Sequence, residues 1–219
     1  MIDYFWSMKY LLFILFTVFM HAQTNFDTAE NYFKQSKLAE AQQLFENYLK
    51  ENPKDLKTVE YLGDIQGKKE NWDNAIFYYK KLKTASPNNA SYQFKYGGVL
   101  GMKAKNVNKF AALSMIKEVK QSFENAIKIN PQHIEARYAL IELYLQLPGI
   151  VGGSERKARK YSDELLLFSP IDGYLSKGRI EMFLKDYDKA EIQYLKAYNL
   201  NKSKVALQKL EEVRAKKKQ

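Results

Sequence analysis

Small and aromatic residues recur along this chain in segments that each run into a proline. Three of these segments are AEAQQLFENYLKENP, DNAIFYYKKLKTASP and QSFENAIKINP, which end at Pro53, Pro87 and Pro131. Pro53 and Pro87 lie 34 residues apart, as do Ala41 and Ala75. Small residues let two helices approach closely, and a proline stops a helix because it restricts the residue before it. The pattern predicts pairs of helices repeated along the chain.

This period and its small–aromatic–proline pattern resemble the tetratricopeptide repeat (TPR), a helix–turn–helix element of about 34 residues. Five successive repeats, about 23–55, 56–89, 90–133, 134–170 and 171–202, carry the matching residues Ala29, Tyr32, Ala41, Phe45, Pro53, Leu62, Gly63, Ala75, Tyr79, Pro87, Tyr96, Gly97, Leu100, Phe123, Ala126, Pro131, Leu140, Tyr144, Ala158, Pro170, Gly178, Ala190, Tyr194 and Ala197. The resemblance implies one all-α domain over 23–219, a right-handed α-solenoid whose stacked repeats share a continuous core.

The resemblance also implies how the helices begin and how the domain ends. We expect Asp55, Asn89 and Asp172 to cap the helices that follow the prolines. A final helix over 203–218 is expected to cap the solenoid, with Val205, Leu207, Leu210 and Val213 packed inward and Arg214–Lys218 frayed into solvent.

Two repeats are longer than 34 residues. Pro87 and Pro131 lie 44 residues apart, and Pro131 and Pro170 lie 39 apart, which places insertions near 103–117 and 147–157. The second insertion contains Leu147-Pro-Gly-Ile-Val-Gly-Gly-Ser154, which lacks the Gly-Lys-Ser/Thr end of a phosphate-binding loop. It is either a widened turn with Ser154 as a helix cap, the interpretation we favour, or an anion-binding nest beside Arg156 and Lys157.

The first 22 residues have the pattern of a secretory signal peptide. Tyr10–Met20 is a run of eleven uncharged, mostly apolar residues that follows Lys9 and precedes Ala22. We expect cleavage near Ala22 and export to the periplasm or cell envelope. The alternative is an uncleaved anchor, although spanning a bilayer takes about 20 apolar residues.

Composition removes several kinds of chemistry. The chain of 219 residues has no Cys and two His, so disulfides, thiolate ligands and a cysteine nucleophile are excluded and a histidine metal site has few ligands. His133 has no partner at ligand spacing, and we expect it to be a surface or capping residue. No catalytic motif is present. We therefore predict a chain that is not an enzyme and needs no cofactor or metal.

The TPR resemblance implies a concave groove lined by the first helix of each repeat. The groove positions of the second repeat hold Lys57, Glu60 and Asp64, and those of later repeats hold Phe94, Met102, Glu135, Tyr138, Glu142 and Arg179. Apolar anchors flanked by carboxylates indicate a site for an extended or helical peptide that carries Lys or Arg. The alternative is a solvated charged face. Capture of a C-terminal carboxylate is disfavoured because Glu60 and Asp64 would repel it.

Charge is unevenly distributed. Residues 23–100 hold 11 basic and 10 acidic side chains, whereas residues 101–219 hold 23 and 14. A basic second half is typical of chains that meet an acidic partner or an anionic membrane, and the leader disfavours nucleic acid. The main hypothesis is a protein- or peptide-binding TPR scaffold or adaptor in the cell envelope. The alternative is a membrane-anchored structural or assembly protein held by an uncleaved leader and its basic surface.

Overall fold

A computed structural model of the chain describes residues 25–218, so the predicted signal peptide and its cleavage site lie outside the described residues. Residues 25–218 are helical and contain no strand. The α-helices are α1 (25–34), α2 (Leu38–Glu51), α3 (Leu56–Lys68), α4 (Trp72–Ala85), α5 (Ala90–Lys105), α6 (Lys109–Ile129), α7 (Ile134–Gln146), α8 (Glu155–Phe168), α9 (Pro170–Phe183), α10 (Tyr187–Asn201) and α11 (Lys204–Lys217). The predicted all-α fold of the solenoid class is confirmed.

The chain divides into two compact blocks. The N-terminal block, Met1–Ala85, contains α1–α4, and the C-terminal block, Ser86–Gln219, contains α5–α11. In the N-terminal block, Phe26 and Ala29 of α1 pack with Phe45 of α2 and Leu62 of α3. The Phe45 ring stacks on Tyr61 with ring centroids 4.6 Å apart. Small and aromatic residues of the repeat therefore meet in this core, as the pattern predicts.

In the C-terminal block each helix contacts the next along the chain, and α7 also contacts α9. Small residues allow these close approaches. A Cβ on Gly178 of α9 would lie 2.4 Å from the Tyr194 ring of α10, which excludes a larger residue without movement of that ring. Ala126, Ala158 and Ala190 are fully buried at the corresponding helix contacts.

Helix starts follow the predicted capping residues at two of three positions. Asp55 accepts a hydrogen bond from the Thr58 amide, and Asn89 accepts one from the Tyr92 amide. The prediction for Asp172 is wrong, since α9 already begins at Pro170. Proline suits the first turn of a helix because its missing N–H would have no partner there.

The residues beyond the 34-residue period occupy two places. Helix α6 is 21 residues long, and its first buried side chain is Val119, so its N-terminal turns extend past the packed core. The second insertion is a turn that leads into α8. Gly152 has a φ of +102°, and the Ser154 hydroxyl accepts a hydrogen bond from the Lys157 amide at 3.3 Å. This arrangement agrees with the interpretation as a widened turn capped by Ser154.

The last helix differs in detail from the expectation. Ala206, Leu210 and Val213 of α11 are buried, whereas Val205 and Leu207 are exposed, so their expected inward packing is wrong. The end of α11 is also not frayed. Arg214 and Lys217 each pair with Glu191 of α10 at 2.7 Å, and hydrogen bonds from Lys217 and Arg214 lower the pKa of Glu191.

Within residues 25–218, no helix combines the length and the hydropathy that spanning a membrane requires.

Candidate functional site

The C-terminal block contains an apolar groove between α5, α6 and α7. Its volume is about 490 Å³, within the range of roughly 300–1,000 Å³ typical of ligand sites. Large apolar residues of all three helices line it: Phe94, Met102, Ile116, Phe123, Leu143 and Leu147. Apolar side chains that border a concave surface form a site where the apolar anchors of a ligand can be desolvated.

Two glycines on α5 keep this groove open. A Cβ at Gly98 would meet no atom within 4 Å, and a Cβ at Gly101 would lie 3.6 Å from the Val119 side chain. The neighbouring Gly97 faces the packed side of α5, where a Cβ would come within 2.9 Å of Phe123 and Ser122. Adjacent glycines of one helix thus serve two purposes: Gly97 permits close helix packing, and Gly98 leaves space in the groove.

One edge of the groove carries an ion pair. Glu142 of α7 lines the groove. Its carboxylate forms an ion pair with Arg179, whose Nε lies at 2.7 Å and whose Nη2 donates a hydrogen bond at 2.8 Å. Gln146 donates a further hydrogen bond to Glu142 at 3.0 Å. The Glu142 carboxylate is therefore already neutralised and hydrogen-bonded by side chains of the same block.

Phe94, which lines the groove, lies beside the rings of Phe123 and His133. The Phe94 ring lies 5.8 Å from the Phe123 ring and 5.1 Å from the His133 ring, between centroids. His133 is the N-cap of α7, and its Nδ1 accepts from the Ala136 amide at 3.3 Å. Burial lowers the pKa of His133 although the Glu135 carboxylate opposes this shift, and the neutral ring is the form that can accept this hydrogen bond.

The predicted site residues of the N-terminal block are held by internal partners. Lys57 pairs with Glu30 of α1 at 2.5 Å, and its ammonium lies 4.6 Å from the Phe26 ring centroid. Asp64 accepts a hydrogen bond from the hydroxyl of Tyr79 on α4. Glu60 lies on the same helix, half-buried. Lys57 and Asp64 thus connect helices within their own block.

The other predicted residues of the C-terminal block are divided. Phe94, Met102 and Glu142 line the groove, and Arg179 reaches it through Glu142. Tyr138 instead donates hydrogen bonds to the Asp172 backbone and side chain at 3.0 and 3.3 Å, which joins α7 to α9. Burial, followed by the nearby Asp172 charge, raises the pKa of Tyr138 far above its ordinary value. The exposed Glu135 lies 3.1 Å from His133 Nδ1. A peptide-binding role for these nine residues stays a prediction.

The contribution of α6 was not predicted from the sequence. Ala112, Ile116, Val119 and Phe123 lie along one side of this helix and line the groove. Their spacing of four, three and four residues is that of a single helical face. That spacing is a signal in the sequence, but the ten extra residues of this repeat obscured which face meets α5.

The described part of the chain, 25–218, shows no cluster of three or more His, Cys, Asp or Glu side chains able to hold a metal ion.

Comparisons with known proteins give a consistent picture. Two tetratricopeptide-repeat family models match, one at residues 26–90 and the other at 171–204. A comparison with curated protein sequences finds no match. TTC0263, a thermophilic TPR protein of Thermus thermophilus, is a similar solved structure: 17% identity, 89% of this chain and 96% of that chain covered, and a TM-score of 0.66.

Two further structures have the same fold. YrrB, described as a TPR protein with an unusual peptide-binding site, is 16% identical, with 89% of this chain and 91% of that chain covered and a TM-score of 0.57. Human IFIT1, solved as a dimer with m7Gppp-AAAA, is 21% identical, with 90% and 46% covered and a TM-score of 0.73. The matched stretches include the buried repeat positions Ala41, Ala75 and Ala190. On these grounds the chain carries tetratricopeptide repeats at residues 26–90 and 171–204 and shares the fold of TPR proteins.

Proposed function

We propose that this chain is a non-catalytic scaffold that binds an apolar segment of another protein in the groove between α5, α6 and α7. The observation that carries the proposal is the open apolar groove itself, bordered by Phe94 and Met102 and kept free of side chains at Gly98. The likeness to YrrB, described as having an unusual peptide-binding site, supports a peptide ligand for this fold.

The chemistry of the groove favours an amphipathic segment with an apolar face. The lining is mainly aliphatic and aromatic, and its acidic residue, Glu142, is occupied by Arg179. Apolar anchors of the partner would therefore supply most of the affinity, since buried apolar contacts at the centre of an interface dominate binding. A basic residue of the partner would compete with Arg179 for Glu142 and contribute little.

We further propose that the protein acts in the cell envelope. The support is the apolar run Tyr10–Met20 between Lys9 and Ala22, which has the pattern of a signal peptide. Mass spectrometry of the mature protein tests this part. We expect an N-terminus near Gln23, and an intact Met1 or Met8 would instead support the anchored alternative.

Site-specific photo-crosslinking tests the groove. A photoreactive amino acid at position 102 in the full chain should capture one defined protein, whereas the same amino acid at position 77 of α4 should not. Gly98→Leu fills open space in the groove and should abolish capture from position 102. Gly67→Leu is the matched control, because a Cβ at Gly67 also meets no atom within 4 Å but lies on α3. Equal capture by the Gly98→Leu chain would refute the proposed site.

A further inference from the structure

The two insertions that lengthen the repeats meet at a second surface of the C-terminal block. A groove of about 340 Å³ is lined by Leu113, Ile116 and Lys117 from the extended α6, and by Leu147, Val151 and Gly152 from the turn after α7. In the first turns of α6 no side chain is fully buried, and the first one that is buried is Val119. Burial in the repeat core therefore does not account for the exposed Leu113.

The two most exposed large apolar side chains of the block lie within three residues of groove-lining residues in the chain. Phe110 is 87% exposed and Ile150 is 97% exposed. Phe110 lies one helical turn before Leu113 on the same face of α6, and Ile150 adjoins Val151 in the turn. Neither residue lines the groove itself, and both side chains are almost fully open to solvent. Clustered exposed apolar side chains with polar neighbours mark interaction sites.

The charged residues that line the same groove are all basic. Lys117, Lys120 and Lys157 line it, and its lining includes no carboxylate. Lys157 lies over the Tyr144 ring at 5.2 Å, and the contact of Lys120 with Glu124 is long, at 3.8 Å. Along α6, apolar residues 110 and 113 are followed on one face by lysines 117 and 120. The groove is thus a basic surface with apolar residues projecting beside it.

We propose that this surface docks onto an anionic lipid bilayer, with Phe110 and Ile150 inserted among the headgroups and the three lysines against lipid phosphates. Membrane association of a peripheral protein takes two signals, apolar insertion and attraction of basic side chains to anionic lipid. An acidic peptide would account for the lysines. It would leave Phe110 and Ile150 in water, because projecting side chains offer a peptide no pocket to fill.

This surface adjoins the peptide groove, since Ile116, Leu143 and Leu147 line both, but the residues that the proposal uses do not. Phe110, Ile150 and the three lysines do not line the groove between α5, α6 and α7. Substitutions at these five positions therefore test the membrane surface alone, and either proposal can fail without the other.

The lack of cysteine in the chain makes a direct test possible. Full chains with Phe110→Cys, Ile150→Cys or Phe77→Cys each take one polarity-sensitive fluorophore. Phe77 of α4 is the matched control, an aromatic residue that is 63% exposed in the other block. With vesicles of phosphatidylcholine and phosphatidylglycerol, emission should shift to the blue at positions 110 and 150 and stay unchanged at 77. Phosphatidylcholine alone should shift none of them.

The electrostatic part is tested with two triple variants of the labelled Phe110→Cys chain. Lys117→Gln/Lys120→Gln/Lys157→Gln should raise the half-saturating lipid concentration on the order of 100-fold, about fivefold for each lysine. Lys50→Gln/Lys54→Gln/Lys80→Gln removes the same net charge from exposed positions of the other block and should leave it nearly unchanged. Every chain compared has the same N-terminus, so these differences report the docking surface.

Three results would overturn the proposal. The first is the absence of a blue shift at positions 110 and 150 with phosphatidylglycerol vesicles. The second is an equal loss of affinity in the two triple variants, which would show attraction by overall charge. The third is a shift caused by polyglutamate but not by vesicles, which would identify an acidic polypeptide as the partner.

Discussion

Equivalent positions of two successive repeats have opposite uses in this protein. Glu60 and Asp64 of α3 correspond, 34 residues later, to Phe94 and Gly98 of α5. Asp64 accepts a hydrogen bond from Tyr79 on the next helix, so its carboxylate helps hold the N-terminal block together. Phe94 and Gly98 instead border an open groove in the C-terminal block. The repeat register fixes which face a residue occupies, but the neighbouring helix determines whether that residue can meet a ligand.

The largest expected effect tests the structural role of Asp64. Asp64→Ala leaves the buried Tyr79 hydroxyl without this acceptor and should lower the free energy of unfolding by about 1–3 kcal/mol. Adding Tyr79→Phe should recover part of the loss, because the hydroxyl that lost this acceptor is then removed. Urea unfolding followed by circular dichroism gives both values. A stable Asp64→Ala chain that no longer binds its partner would instead make Asp64 a ligand-contacting residue.

Two adjacent glycines sharpen the same comparison within one helix. Gly97→Ala should destabilise the protein by about 1–2 kcal/mol, because the new methyl group meets Phe123 and Ser122 at 2.9 Å. Gly98→Ala should stabilise it by about 0.5–1 kcal/mol, since alanine favours the helix and nothing lies within 4 Å of the new Cβ. Chemical denaturation of the two chains provides the measurement. Changes of the same sign would show that α5 does not have one packed and one open side.

A smaller effect is expected at the Glu142–Arg179 pair. Both side chains are partly exposed, so solvent and salt screen the pair and its coupling should be about 0.2–1 kcal/mol. A double-mutant cycle with Glu142→Gln and Arg179→Gln measures this coupling directly. If the Glu142→Gln change weakens partner binding more than it alters stability, a basic residue of the partner contacts this carboxylate.

The smallest expected effect is a pH dependence at His133. Burial lowers the pKa of this ring in the folded state. The stabilisation that the neutral ring contributes is therefore complete above the ordinary histidine pKa of about 6.5. Stability is then lost as pH falls below that value, because the unfolded chain takes up the proton first. His133→Asn retains a capping side chain that does not titrate. Thermal unfolding between pH 8 and pH 5 should show a steeper decline for the wild type than for this variant.

Much of the fold was predictable because the same residue types recur at fixed positions of the repeat. Alanines 41, 75 and 190 lie at close helix contacts, and the prolines lie at the ends of helices. The number and pairing of the helices therefore follow from the spacing of these residues. The exposure of Val205 and Leu207 was not predictable, because the rotation of α11 is set by its packing against α10 and not by the repeat spacing.

The groove was only partly predictable. Phe94 and Met102 were expected from the register, but Ile116 and Leu147 enter it through insertions that the 34-residue period does not describe. Hydrogen-bond partners were also not predictable from the sequence. The Tyr138 hydroxyl donates to Asp172, which lies 34 residues away in the chain. Residue spacing predicts the helix face on which a side chain lies, whereas the partner of that side chain depends on how the helices pack.

The proposed function depends most on the groove between α5, α6 and α7 being the binding site. The direct measurement is the affinity of the photo-captured partner, once purified, for three full chains: wild type, Gly98→Leu and Gly67→Leu. We expect Gly98→Leu to weaken binding at least tenfold, about 1.4 kcal/mol, while Gly67→Leu binds like the wild type. Equal affinity of all three chains would contradict the proposed site.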